Sequence, residues 1–171
     1  NEGNLLAATQ EIEKLSLFAE NNRIDLSTVE TVASDNARYD VFVLVDRALQ
    51  GEAESSIHIL NGLRAEGTEI LQILWAMSRE LRVLATCARQ IEQGNGVDRV
   101  LQSQRVWDKR KMLVKTALNR LPSKRLHLLL RLAQQVDKAA KGIEHDNPWD
   151  LLTRLTMAMA GKPILKPSRR A

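Results

Sequence analysis

Residues 69–92 read EILQILWAMSRELRVLATCARQIE. At 100° per residue, Ile70, Ile73, Leu74, Met77, Leu81, Leu84, Ala88 and Ile91 share one face. A run of this length, periodic at 3.6 and free of alternation, is an amphipathic helix and far too long for a strand. Gly94-Asn95-Gly96 ends it. Trp75 lies off the apolar face, beside Leu71, Arg79 and Arg82. That second stripe has the composition of an interface anchor. The favoured reading is plainer, a central helix packed on two sides by its own chain. Glu80 intrudes on the apolar face, where a lone charge would be costly.

The same period recurs on both sides of this helix. Upstream, residues 4–21 carry Leu5, Ala8, Ile12, Leu15 and Ala19 at helical spacing, and Ser27-Thr28-Val29-Glu30 is a capping box. Tyr39–Gln50 reads as a short apolar helix closed by Gly51, and residues 52–65 as another. Downstream, Val106–Asn119 and Ser123–Lys141 are separated by a tight turn at Leu121-Pro122. Asn147-Pro148 opens a last helix, capping residue first and proline at the first helical position, and Gly161-Lys162-Pro163 stops it. No segment alternates, so the expected class is all-α, an antiparallel helical bundle in which helices joined by short connections lie side by side. A boundary is expected near Asp46–Glu52, because the helices before it are few and short.

The chain has 171 residues, 44% hydrophobic and 27% charged, enough for one ordinary domain or two small ones. No apolar run is longer than that of Val41–Val45, too short to span a membrane, and no apolar leader points to secretion. One cysteine, Cys87, gives neither an intramolecular disulfide nor a multi-cysteine zinc site, and a reduced, cytoplasmic setting fits. Cys87 sits among apolar neighbours and reads as a core residue. Glu144-His145-Asp146 has metal-capable side chains, but three consecutive turn residues rarely converge on one ion. The first residue is Asn1 and helical patterning begins almost at once, so the chain reads as a piece of a longer one. GxxxxGK[ST], GxGxxG and HExxH are all absent, so neither a catalytic site nor a cofactor is expected.

Charge is unevenly placed. Residues 1–93 hold 8 Lys/Arg against 15 Asp/Glu, and residues 94–171 hold 17 against 6. Arg105, Lys109, Lys111, Lys115, Arg120, Lys124 and Arg125 form a stripe that could meet phosphates weakly and without sequence preference. The bland alternative is that these charges are solvated or face the acidic half. In the helix from Val106 the apolar arc takes in Trp107, Leu113, Val114, Ala117 and Leu118, and Arg110 falls inside it. Asp137 intrudes on the next helix in the same way. Folding about the Leu121-Pro122 turn predicts a buried Arg110–Asp137 ion pair, with Glu80 the second choice of partner.

Several stretches stand out together: Gly3-Asn4-Leu5-Leu6-Ala7-Ala8, Gln10 to Leu15, Ala37 to Phe42, Leu60 to Gly67, and Leu74-Trp75 with Arg79-Glu80-Leu81-Arg82. Val106-Trp107 with Arg110-Lys111, Asp137 with Lys141-Gly142, and Pro148-Trp149 continue the order. In that order and spacing they resemble the delta subunit of the bacterial DNA polymerase III clamp loader. The resemblance implies the later part of an AAA+-type helical lid at residues 1–45, a collar at 46–165 and a loose basic tail at 166–171. It implies a role in DNA replication, with collars of the delta-prime and gamma/tau subunits as partners. The sliding clamp would be reached only through a missing N-terminal domain. The parent would be a non-catalytic subunit of a nucleotidyltransferase complex, with no working ATP site.

Overall fold

Asp40 opens the first described helix, its Oδ1 accepting a hydrogen bond from the Phe42 N–H at 2.7 Å. The computed structural model describes residues 40–163. The expected helices at 4–21 and from Ser27, and the tail at 166–171, lie outside these residues. Seven helices follow one another: α1 Val41–Gln50, α2 Ala53–Ala65, α3 Ile70–Glu92, α4 Val97–Ser103, α5 Asp108–Arg120, α6 Ser123–Ala140 and α7 Pro148–Met159. No strand occurs among the described residues. The class is all-α.

The long helix α3 is the centre. It packs against α1, α4, α5, α6 and α7, and it buries Ile73, Leu74, Met77, Leu81, Leu84, Cys87 and Ala88. α6 and α7 cover one side of it, and α1 and α5 the other, with α2 against α1 and α7. The core is leucine-rich, with Leu44, Leu49, Leu60, Leu63, Leu101, Leu121, Leu126 and Leu129 fully buried. Truncating any one of these to alanine in such a core costs about 2–5 kcal/mol.

Three expectations need correction. The boundary between residues 45 and 46 cuts α1, whose Val41, Leu44 and Val45 are buried in the same core as Ala48 and Leu49. The division of the chain falls instead between Arg38 and Tyr39. α4 was not expected; it is only 7 residues long and contributes Val100 and Leu101 to the core. Finally, α5 and α6 barely touch, although they are consecutive. Leu121 is held extended (φ −115°, ψ 84°) ahead of Pro122 (ψ 160°), so the chain turns a corner and does not double back.

That corner carries the bundle's main polar tie. Arg120 Nη2 donates to the carbonyls of Ala48 at 3.0 Å, Leu49 at 2.9 Å and Met159 at 3.2 Å. These are carbonyls at the ends of α1 and α7, where intrahelical partners run out; that of Ala48 also accepts from the Gly51 N–H at 3.1 Å. Gly51 and Gly161 follow the two helix ends with φ of +92° and +88°. A Cβ there would sit 2.8 Å from Arg120 Nη1 or 2.7 Å from Arg120 Cδ. Glycine is needed at both places for the backbone turn and for the approach of the guanidinium.

Candidate interaction surface

The three misplaced charges of the sequence resolve into a bridge and a bystander. Arg110 on α5 donates from Nη2 to Asp46 Oδ1 on α1 at 2.6 Å and from Nη1 to Glu80 Oε2 on α3 at 3.2 Å. Asp137 is not its partner; it accepts from Lys141 Nζ at 2.8 Å, one turn along α6. The reason is the corner at Pro122, which lays α5 against α1 and α3 and away from α6. Nor is Arg110 largely buried: its side chain is 39% exposed, against 12% for Glu80. Burial pulls the Arg110 pKa down, but Glu80 and then Asp46 outweigh it and the net shift is upward. Cys87 is buried on α3. Burial, followed by the charge of Glu80, pushes its thiol up to about 11, which leaves it a poor nucleophile. Among the described residues no cluster of three His, Cys, Asp or Glu could hold a metal ion, and Glu144 is engaged by Lys138 at 3.1 Å.

The basic stripe is less free than its sequence suggests. Lys111 pairs with Asp108 at 2.6 Å and Lys115 with Asp98 at 2.7 Å. Their hydrogen bonds hold both carboxylates below the usual range. Arg120 is committed to helix-end carbonyls, and burial, then the neighbouring Arg125, lowers its pKa. Arg125 donates to the carbonyls of Ala158 and Lys162. Arg105, Lys109 and Lys124 remain exposed, with no hydrogen bond or ion pair shown for their side chains.

Two grooves carry the exposed aromatics. The first, of about 610 Å³, runs between Phe42, Arg79, Val83, Arg105, Trp107 and the Arg110 bridge. Trp107 was placed in the apolar arc of its helix, but α5 begins only at Asp108 and Trp107 is its N-cap, 77% exposed. A wheel drawn through it had no helix to describe. Trp107 is therefore an exposed ring with the exposed cations Arg105 and Lys109 two residues to either side in sequence; its exposure is what the wheel concealed. Arg105 has φ 55°, a left-handed conformation unusual for a side-chain-bearing residue. Its N–H bonds the Gln102 carbonyl and the Val106 N–H bonds that of Leu101, closing α4 in a Schellman turn.

The second groove, of about 460 Å³, lies between α3 and α6 and holds Leu71, Trp75, Arg82 and Asp137. Trp75 is 57% exposed, with the Arg79 guanidinium carbon 5.7 Å from its ring centroid. The off-face stripe of the long helix is thus not covered by any described residue of its own chain. No helix among the described residues is long and apolar enough to cross a membrane.

A family model described as "Processivity clamp loader gamma complex DNA pol III C-term" matches residues 41–166. The chain is 32% identical over 163 residues to DNA polymerase III subunit delta of Escherichia coli (strain K12), covering 95% of this chain and 47% of that protein. It is 25% identical over 167 residues to DNA polymerase III subunit delta of Haemophilus influenzae, covering 91% and 48%. It thus spans about half the length of the curated relatives it matches. A solved structure, the Bacillus subtilis DNA clamp loader delta protein, aligns with a TM-score of 0.56 at 20% identity, over 94% of this chain and 47% of that one. At that identity the likeness speaks for the fold alone.

Proposed function

The chain belongs to the family of C-terminal regions of the DNA polymerase III clamp-loader delta subunit, which serves DNA replication, and on that premise we propose that residues 40–163 are its collar. In this reading the collar assembles the subunit into a ring with the delta-prime and gamma/tau subunits. Its role is structural and non-catalytic. The setting is the cytoplasm, and residues 1–39 continue into the helical lid. Contact with the sliding clamp belongs to a part of the subunit outside these residues.

The observation that carries the reading is Trp75, exposed on the central helix and flanked by Arg79 and Arg82, which are also exposed. An indole with adjacent arginines is the side-chain set that dominates the energetics of protein interfaces. The test is reconstitution of the full-length subunit with purified clamp-loader subunits. Trp75→Ala with Arg79→Ala is expected to weaken assembly about tenfold while leaving the thermal midpoint in place. Unchanged assembly rejects the surface.

A second reading, contact with nucleic acid, is favoured by Trp107. An exposed aromatic between two exposed cations can stack a base while the cations meet phosphates. Trp107→Ala is expected to abolish most of the tryptophan quenching caused by a single-stranded oligonucleotide. Quenching that survives the substitution rejects this reading.

A further inference from the structure

The groove between α3 and α6 has a floor of Leu74, Ser78 and Ala133, all buried and two of them small. Leu71 and Trp75 form one wall, 41% and 57% exposed. Arg82 lines the groove, and Arg79 stands against the Trp75 ring with its guanidinium carbon 5.7 Å from the centroid; both are exposed. The one carboxylate among the groove's described residues, Asp137, is already engaged by Lys141 at 2.8 Å. The site therefore offers an apolar seat with a cationic margin whose single acid is answered from within.

We propose that this groove takes an amphipathic helix of a neighbouring subunit, its apolar stripe seated on Leu71 and Trp75 and its Asp or Glu residues facing Arg79 and Arg82. The inference rests on the assembly reading above and names the partner's chemistry. The occupant is a helix because both walls are helices, whose backbone groups bond internally. An extended segment would find no ladder here and would leave its own N–H and C=O groups unpaired on desolvation, whereas a helix satisfies them itself. It is acidic because the margin is cationic, and like charge brought against it would be repelled. Nucleic acid suits the site poorly: the floor is apolar, and the groove holds one aromatic ring, Trp75, where successive bases would need several to stack on.

The test uses the full-length subunit assembled with purified clamp-loader subunits. A photo-crosslinking residue replaces Gln134, which is exposed and lines the groove, and the joined peptide is identified by mass spectrometry. The expected peptide is a helical segment with carboxylates within one turn of an apolar i, i+3/i+4 stripe. Arg79→Glu with Arg82→Glu is expected to raise the assembly Kd about tenfold at low salt and less at high salt. Arg79→Lys with Arg82→Lys is expected to recover most of the affinity. A cross-link to a basic or non-helical segment, to DNA or to the subunit itself overturns the proposal, as does a complex that forms without a cross-link. If Trp75→Ala leaves assembly unchanged, the assembly surface itself falls. If Trp75→Ala weakens assembly and charge reversal does not, only the acidic helix falls. Should the reversed variant fail to fold by circular dichroism, the lysine variant and the Gln134 cross-link decide.

Discussion

Arg110 joins three helices through one guanidinium, and its removal separates a structural bridge from a surface charge. Arg110→Ala leaves Glu80, only 12% exposed, without its cation. The expected cost is about 1–3 kcal/mol, between the values for buried and exposed pairs because Arg110 is itself half-exposed. Asp137→Ala, removing an exposed pair within one helix, should cost under about 1 kcal/mol; urea unfolding of both variants checks the ranking. Arg110 and Glu80 were legible in the sequence as charges on apolar arcs. Asp46 was not, because it lies 64 residues away and only the path of the chain brings it near. Cys87 gives a pH signature. Its folded pKa of about 11 lies above the ordinary 9.0, so the protonated thiol favours the folded state. That contribution is complete below about pH 9 and is lost as pH rises to about 11, a fall of about 2–3 kcal/mol. Cys87→Ala should remove this part of the alkaline slope, measured as the difference between the two stability–pH curves.

Helices with several turns announced themselves, while the short or bent pieces did not. α3, α6 and α7 begin and end within a residue or two of where periodicity, Asn147 and the glycines put them. α4 has barely two turns and two core residues, too little for a period to emerge. The α5–α6 corner escaped because a short connection was read as a reversal, whereas Pro122 keeps Leu121 extended. The Schellman turn after α4 places Arg105, not glycine, in the left-handed region. Arg105→Gly should therefore raise stability by up to about 1 kcal/mol while weakening any oligonucleotide binding, read by thermal melting and by titration. Gly161→Ala should do the opposite to stability. It forces a left-handed φ on alanine and drives a Cβ to 2.7 Å from Arg120 Cδ, so a loss of about 1–3 kcal/mol is expected in denaturant unfolding.

For the molecule as a whole, the all-α bundle was readable because its core follows from leucines at helical spacing. The interaction surface was readable only in part. The Trp75 stripe stood out against the apolar face, but whether chain covered it depended on the whole packing. The basic stripe looked like seven cations, of which the fold engages four in ion pairs or helix-end hydrogen bonds. Single-stranded DNA binding, if measured against salt, should then show a logarithmic slope of about −2, as for three phosphates, and not the value of about −5 that seven would give. The tie at Arg120 has a consequence for the order in which the molecule comes apart. It binds the last carbonyls of α1 and of α7, the first and last helices described, to one cation. Fraying of either end must first release the clasp that holds the other, so the two ends of the bundle open as a single cooperative unit. Amide hydrogens around Gly51 and Gly161, far apart along the chain but both packed on Arg120, should exchange with solvent at matched rates, and Arg120→Ala should uncouple them.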